Sequence, residues 1–254
     1  SGLVGSEMCI RDRLDGVGNT MLIALIGTVA GLVIGLLTGV VRTAPLSKNA
    51  VLRVLHKILN AVIAVYVEIF RGTPMMVQAM VIYWGYAFAT GGSTLPLIPS
   101  GILIVSINTG AYMAEIVRGG IISIDKGQFE GAMSIGMTHS QTMFKVIIPQ
   151  VMRNILPSVS NEFVINIKDT SVMFIISFTE FFAAHRYIVG VNNMYFPSAT
   201  IEMVGYLTMT LAASFILRLV EKLMDGSDNY ELVQADALTM TAGTYTRRAG
   251  GTPN

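Results

Sequence analysis

The stretch EGAMSIGMTHSQTMFKVIIP, residues 130–149, indicates how this chain is organised. It places a glycine-containing helical turn before an amphipathic run, and strongly apolar segments lie on both sides of it. Ala132 is small and Met133 is an adaptable apolar side chain, so both are suited to packing against another surface. The stretch therefore predicts a docking segment for a second protein.

The composition is that of a membrane protein. Charged residues make up 13% of the chain, against about 25% in soluble domains, and hydrophobic residues make up 52%. A hydrocarbon core of about 30 Å needs about 20 helical residues. The candidate spans are Thr20 to Val41, Pro74 to Ala89, Leu97 to Val117, Ile155 to Phe178, and Ala199 to Leu219. The second is short unless residues before Pro74 contribute to it. We expect an all-α polytopic protein with about five transmembrane helices.

Basic residues are distributed unequally between the connecting loops. The loop before the second span contains Arg42, Lys48, Arg53, Lys57 and Arg71, and the loop before the fourth contains Arg118, Lys126, Lys145 and Arg153. The opposite loops contain only Arg186. Because cytoplasmic loops are enriched in Lys and Arg, we expect the N-terminus outside and the C-terminus inside.

The two ends of the chain differ from its centre. Residues 225–254 combine small, polar and charged residues without a period, which predicts a flexible cytoplasmic tail. Residues 1–15 contain SGLVGSEMCIRDR, which has no signal-peptide layout and resembles a translated adapter read, so we expect a non-native or disordered head. The membrane domain is then 16–224, with the docking segment at about 125–150. Cys9 is the only cysteine, which excludes an intrachain disulfide and gives no sign of a cysteine-based metal site.

Four glycines in the first span share one helix face. They are Gly27, Gly31, Gly35 and Gly39, each four residues apart. Small residues at this spacing let another helix approach closely. The alternative is the general enrichment of glycine in membrane helices. Whether the face meets this chain or a second subunit stays open.

Polar residues are concentrated in the fourth span. A charge at the bilayer centre costs about 2.5–3.5 kcal/mol on insertion scales, so such residues usually face protein or water. Glu162, Asn166 and Asp169 are four and seven residues apart and share one stripe, which predicts a polar cavity in front of them. Asn161 and Lys168 form a neighbouring stripe. The alternative is a structural charge pair that locks helices together.

A second polar cluster, VEIFRGTPMMVQ, occupies residues 67–78. Glu68 and Arg71 are three residues apart and can pair on a helix surface. Gly72 and Pro74 interrupt the helix, and the released N–H groups with the Thr73 hydroxyl are suited to bind a carboxylate. The alternative is a plain helix start with Thr73 as its cap.

Two further pairs are three residues apart. Glu115 and Arg118 end the third span and are interpreted as an ion pair at its cytoplasmic exit, or as part of a site. Lys168 and Ser171 have the spacing of a Ser-Lys nucleophile pair, but no second catalytic cluster or metal motif accompanies them. We therefore do not expect an intramembrane enzyme.

Several motifs resemble one transporter family. Residues 130–149 are similar to the cytoplasmic loop of importer membrane subunits, with pattern E-A-A, three residues, G, nine residues and I-x-L-P; Gly131 replaces the first alanine, Val146 the isoleucine and Ile148 the leucine. GNTMLIAL, VEIFRGTPMMVQ, AYMAEIVRGGIISIDKGQFEGA and NEFVINIKDTSV follow in the order of the permease subunits of polar amino acid ABC importers. That family handles histidine, glutamine, glutamate, arginine and opines. The resemblance covers about Gly16 to Met224.

The resemblance implies a type I importer fold in the bacterial cytoplasmic membrane. Two permease domains, identical or paralogous, sit on two ATPase subunits and receive substrate from an extracellular binding protein. The docking segment would be the coupling helix, with contacts from Glu130, Gly131, Ala132, Met133 and Gly136. The chain has no G-x-x-x-x-G-K-[ST] motif, so ATP and Mg²⁺ are expected on the partner. We expect no cofactor, metal, nucleic acid or catalytic residue for this chain.

The resemblance also implies a substrate site at mid-membrane. Its residues match Gly72, Thr73, Pro74, Gln78, Glu162, Lys168 and Asp169. We expect Thr73 and the Gly72 backbone to bind a carboxylate, and Glu162 or Asp169 to bind an ammonium; Lys168 binds the carboxylate or neutralises an acid. The rival function is a secondary amino acid transporter independent of ATP, which commonly shows inverted repeats. No convincing repeat relates the two halves of this sequence.

Overall fold

The computed structural model describes residues 2–46 and 48–224, and the regular structure within them is helical. The helices are α1 (Gly2–Thr43), α2 (Ala50–Gly72), α3 (Met75–Ala89), α4 (Leu97–Ile122), α5 (Lys126–Ser134), α6 (His139–Thr142), α7 (Ile148–Asp169), α8 (Phe181–Asn192) and α9 (Tyr195–Met224). A π-helical turn, Met143–Ile147, joins α6 to α7, and a 3₁₀ segment, Thr170–Ile176, continues α7. The tail predicted at 225–254 lies outside the described residues.

Four helices in the described ranges are long and apolar enough to cross a membrane. They are α1 from Arg11 to Thr43, α2, α4 and α9. A fifth crossing results when the bent pair His139–Ile176 and Phe181–Val191, which meet at 51°, is counted as one span. The prediction of an all-α polytopic protein with about five spans is confirmed.

The glycine stripe of α1 packs against α4 of the same chain. A Cβ atom placed on Gly27 would lie 2.5 Å from Cγ1 of Val105, and one placed on Gly35 would lie 2.4 Å from Cβ of Met113. Distances this short leave no room for a side chain, so the two backbones are in close contact. We call this interface the α1–α4 seam; it comprises Gly27, Gly31, Gly35, Gly39, Val105, Thr109, Met113 and Val117.

The seam shows that α1 and α4 run in the same direction. Gly27 meets Val105 and Gly39 meets Val117, so the contacts advance along both helices together. Between two parallel spans, the chain must return across the membrane. Since only α2 and α3 lie between them, these two helices together form one crossing that is broken at residues 72–74.

This arrangement corrects the sequence interpretation of the second span. The prediction places that span at Pro74–Ala89, whereas α2, with 23 residues, supplies most of it. Arg53 and Lys57 lie in the first turns of α2, and Arg71 lies at its end, so none of the three belongs to a loop. Charged residues near the start of α2 interrupt its apolar pattern, so the sequence alone does not show this helix as a span. The expected orientation, with the N-terminus outside and the C-terminus inside, stays a prediction.

The helix α7 runs antiparallel to α4. Gly120 packs against Ile155, whereas Thr109, three turns earlier on α4, bonds to Asn166, further along α7. The helix α9 joins α1 and α7 in a buried cluster of Ala24, Ile167, Phe181, Met209 and Ala213. The charged residues of α7 thus lie on a helix that packs against α1, α4 and α9.

The helix α8 packs across one end of the bundle. The fully buried Glu180 carboxylate accepts hydrogen bonds from the N–H groups of Phe182 and Ala183, at 2.7 Å each. The Tyr206 hydroxyl also donates to Glu180, at 3.0 Å, which ties α8 to α9. Near this end, Arg13 of the predicted head lies 2.9 Å from a carboxylate oxygen of α9. The head boundary at residue 15 stays a prediction.

Candidate functional site

The break between α2 and α3 leaves a backbone carbonyl without its helical partner. In a continuous helix, the Phe70 carbonyl would accept a hydrogen bond from the N–H of residue 74, but Pro74 has none. The side-chain amide of Gln78 replaces it, with Nε2 2.9 Å from the Phe70 carbonyl oxygen. The same Nε2 lies 2.9 Å from the carbonyl oxygen and 2.9 Å from the hydroxyl of Thr73. A buried side chain thus closes the break.

Asn108 on α4 completes this polar cluster. Its Nδ2 donates to Oε1 of Gln78 at 2.9 Å and to the Phe70 carbonyl at 3.4 Å. Asn108 is buried and is not among the residues predicted from sequence. The available signal was a polar side chain inside an apolar span. We call this cluster the break clasp; it comprises Phe70, Thr73, Gln78 and Asn108.

Gly72, Thr73 and Pro74 are exposed at the break. The Thr73 hydroxyl donates to the Ile69 carbonyl at 2.7 Å and accepts from Gln78. Its hydrogen is therefore used within the chain. The role predicted for Thr73, donation to a substrate carboxylate, requires this hydroxyl to leave Ile69.

The charged residues predicted on α7 lie on an accessible face. Lys168 is exposed, and Glu162 and Asp169 are half-buried. Glu162 lies within electrostatic range of Asp169 and of Arg71. Because Arg71 directly precedes Gly72, Glu162 lies within electrostatic range of the residue next to the break.

Arg71 does not pair with Glu68, although their spacing allows it. The ion pairs found among the described residues do not include these two. The guanidinium carbon of Arg71 instead lies 5.6 Å from the centroid of the Tyr112 ring on α4, within cation–π range. Arg71 is thereby directed toward α4 rather than along its own helix.

Glu115 pairs with two arginines near the end of α4. Its carboxylate lies 2.8 Å from Nη2 of Arg118 and contacts Nη1 of Arg42 on α1. These contacts tie the ends of the two seam helices together. They favour the interpretation of Glu115 and Arg118 as a structural ion pair.

Asn166 does not face the acidic side of α7. It is 3% exposed and lies between three spans. Its Nδ2 donates to the Thr28 hydroxyl of α1 at 2.8 Å, and its Oδ1 accepts from the Thr109 hydroxyl of α4 at 3.0 Å. The prediction that Asn166 faces a cavity with Glu162 and Asp169 is wrong, because α1 and α4 cover this edge of the stripe.

The predicted coupling segment forms a short capped helix. The Asp125 carboxylate accepts a backbone hydrogen bond at 2.6 Å and caps the start of α5. At its end, Gly136 has a φ of 85°, and its N–H bonds to the Met133 carbonyl at 3.0 Å. The N–H of Met137 bonds to the Ala132 carbonyl at 3.2 Å. This is a Schellman motif, whose left-handed position favours glycine, so Gly136 serves as a turn.

The two faces of α5 differ in exposure. Ala132 is buried against the rest of the chain, whereas Glu130 and Gly131 are exposed. Met133 is 57% exposed, and Ile135, just beyond the helix, is 79% exposed. Apolar side chains that are exposed in a polar segment are suited to contact another protein.

The predicted substrate residues therefore fall into two groups with polar binding chemistry. The first group, at the break, is Gly72, Thr73, Pro74 and Gln78; the second, on α7, is Glu162, Lys168 and Asp169. Carbonyl groups and carboxylates can bind an ammonium, and N–H groups, a hydroxyl or a lysine can bind a carboxylate. In the described part of the chain, no cluster of three or more His, Cys, Asp or Glu side chains could hold a metal ion.

Most of the membrane domain can be assigned to a family. Residues 27–226 match the family described as binding-protein-dependent transport system inner membrane component. The chain belongs to this family. It is an inner membrane permease component rather than the ATPase of its transporter. The family implies a complex with ATPase subunits and a binding protein.

Related permeases cover most of this permease. The glutamine transport system permease protein GlnP of Escherichia coli (strain K12) is 36% identical over 211 residues, which are 83% of this chain and 92% of that protein. The L-cystine transport system permease protein TcyB of Bacillus subtilis (strain 168) is 38% identical over 179 residues, 70% of this chain and 71% of that protein. A crystal structure of an amino acid ABC transporter with histidines is 31% identical, with a TM-score of 0.72, over 87% of this chain and 97% of that chain.

Proposed function

We propose that this permease carries a polar amino acid inward across the membrane, after receiving it from an extracellular binding protein, and that glutamine is the first substrate to test. The support is the likeness to a glutamine permease along 92% of that protein's length. The related cystine permease has a different substrate, so family likeness alone does not choose between amino acids.

The observation that carries the proposal is the accessible polar side formed by the break and α7. Charges and broken backbone at membrane depth occur where they are covered by protein or line a watery cavity. Thr73 and Lys168 are exposed in the single chain. We propose that a second permease copy, identical or paralogous, covers this side and that the space between the copies holds the substrate.

Within that space, the two groups of residues have complementary roles. The half-buried Glu162 and Asp169 would bind the substrate ammonium. The Gly72 backbone and the Thr73 hydroxyl would bind its carboxylate, and Pro74 and Gln78 would shape the break. Lys168, whose charge acts on Asp169, binds the carboxylate or neutralises that acid.

The helix α5 is the proposed contact with the ATPase dimer, which would bind ATP and Mg²⁺. Glu130, Gly131 and Met133 present an exposed surface, Ala132 supports it from within, and Gly136 turns the chain toward α6. From α6, the π-helical turn leads directly into α7. A movement imposed on α5 is therefore passed along a short helical path to the helix that carries Glu162 and Asp169.

Reconstitution tests this function. The permease would be combined in liposomes with its ATPase and binding protein, and ATP hydrolysis would be measured with each polar amino acid in turn. We expect stimulation by one or a few amino acids, and only with the binding protein present. Uptake that needs neither ATP nor the partners would contradict the proposal and support a secondary transporter.

A further inference from the structure

We infer that Asn108 is a positioning residue of the substrate site, because its amide directs the Gln78 carboxamide and thereby fixes the broken end of α2. The inference rests on the proposed function, since it adds a residue to the same site. Asn108 acts through Gln78 and need not touch the substrate itself.

The orientation of Gln78 follows from its hydrogen-bond partners. A carboxamide has one donor end and one acceptor end. Nδ2 of Asn108 donates to Oε1 of Gln78 at 2.9 Å, so Nε2 of Gln78 points toward Phe70 and Thr73. The reversed orientation would set Oε1 against two carbonyl oxygens. Asn108 adds to this preference by donating to Oε1 and holds the acceptor end of the carboxamide in place.

Asn108 adjoins the closely packed α1–α4 seam. The next residue, Thr109, lies in the α1–α4 seam, where a Cβ atom on Gly31 would be 2.8 Å from its side chain. Thr109 also donates to Asn166 of α7. A fixed helix therefore supports Asn108, and Asn108 in turn holds the side chain that closes the break.

The groups to which Gln78 donates hydrogen bonds include the one proposed for substrate recognition. Its Nε2 lies 2.9 Å from the Thr73 hydroxyl, the group proposed to meet the substrate carboxylate. The same Nε2 also donates to the Phe70 and Thr73 carbonyls. A change in the Gln78 orientation would remove this donor from all three oxygens, although the backbone fold would remain.

The test is a double-mutant cycle in the reconstituted complex with saturating binding protein and the stimulating amino acid. The variants are Asn108→Ala, Gln78→Ala and the double variant. Each single variant should lower the stimulated rate of ATP hydrolysis about tenfold, because each leaves a buried polar partner unsatisfied. The double variant should lose no more than the more affected single variant, because both changes remove one contact.

Asn166→Ala is the matched control. Asn166 is also a buried asparagine with side-chain partners on two other spans, and its described hydrogen bonds do not involve Gln78. In the double variant, the fold-reductions in stimulated ATP hydrolysis caused by Asn166→Ala and by Gln78→Ala should multiply. A second variant, Asn108→Asp, keeps the side-chain volume but presents an acceptor to Oε1 of Gln78. It should match Asn108→Ala in rate and should also add nothing to Gln78→Ala.

Assembly is measured for every variant by co-purification with the ATPase. Independent, multiplying effects of Asn108→Ala and Gln78→Ala would overturn the inference. So would failure of both Asn108 variants to assemble, because Asn108 would then serve the fold alone. A wild-type complex that no polar amino acid stimulates would remove the proposed function and the inference together. A stimulated wild type with independent effects would remove the inference alone.

Discussion

The α1–α4 seam and the break clasp hold neighbouring parts of one bundle in opposite ways. In the seam, Cβ atoms placed on the four glycines would come within 2.4 to 2.8 Å of α4, so contact is made by backbone and apolar groups. In the clasp, Pro74 interrupts the backbone hydrogen bonds of the helix, and the buried side-chain amides of Gln78 and Asn108 form hydrogen bonds at the break instead. The seam leaves no room for adjustment, whereas the clasp consists of hydrogen bonds that can be exchanged. The adjustable part lies where the substrate is proposed to pass.

Glycines show the same contrast. Those of the seam recur every four residues and all contact α4. Gly72 and Gly131 are isolated, and apart from adjacent residues and their own helix backbone no described atom lies within 4 Å of a Cβ placed on either. Regular spacing therefore marks the packing face of α1, whereas an isolated glycine can be packed, as Gly120 and Gly205 are, or open. The four predictions that follow test this contrast between packed and open positions, from the largest expected effect to the smallest.

Gly35→Leu should disrupt the seam. A Cβ atom on Gly35 would lie 2.4 Å from Cβ of Met113 and 2.7 Å from its carbonyl carbon, so the helices must separate. Overpacking a core costs about 1–3 kcal/mol, and more where backbone has to move. We expect loss of monodisperse complex on size exclusion. The control is Gly119→Leu, at an exposed α4 position without described neighbours within 4 Å. Equal yields of both variants would show that the seam is not tight.

Asp169→Ala should abolish transport and leave assembly intact. It removes one of the two acids proposed to bind the ammonium, and hydrogen bonds to charged groups contribute about 1.5–3 kcal/mol. We expect a loss of more than about tenfold in substrate-stimulated ATP hydrolysis. Glu68→Gln, at an exposed acid of α2 outside the proposed set, should retain the rate. Loss of assembly with Asp169→Ala would instead support a structural charge pair.

Met133→Glu should weaken the contact with the ATPase. Met133 is 57% exposed, so a charge is tolerated in the free permease but would be buried in the complex. We expect about a tenfold weaker affinity for the ATPase, measured by titration in detergent. Met194→Glu, at a 58% exposed methionine before α9, should leave the affinity unchanged. The same affinity in both variants would place the ATPase contact elsewhere.

Gly131→Ala should have the smallest effect. Alanine favours a helix interior over glycine by about 0.5–1 kcal/mol, and the position has space for a methyl group. We expect a slightly higher melting temperature and unchanged stimulation of ATP hydrolysis. Reduced stimulation would indicate that the ATPase approaches the backbone of Gly131 closely.

Sequence predicts those features of the fold that depend on local periodicity. The glycine stripe, the apolar spans and the turn at Gly136 are visible in one segment at a time. The helix α2 was harder to recognise, because Arg53, His56 and Lys57 interrupt its apolar pattern near the start. Its place as half of a broken span follows only from the parallel seam helices.

The candidate site depends on contacts between distant segments. Asn166 and Glu162 are four residues apart on α7, yet α1 and α4 cover Asn166 and leave Glu162 accessible. Gln78 and Asn108 are 30 residues apart, so their pairing leaves no local pattern. Sequence therefore shows which residues are polar, whereas the packing of neighbouring helices decides which of them are structural.

The most direct test of an ATP-driven amino acid importer is uptake of labelled glutamine by liposomes that contain the full complex. Wild-type permease would be compared with Asp169→Ala, with and without ATP and the binding protein. We expect uptake only by the wild type, and only when both ATP and binding protein are present. Uptake without ATP, or equal uptake by the two forms, would contradict an ATP-driven path along the acidic face of α7.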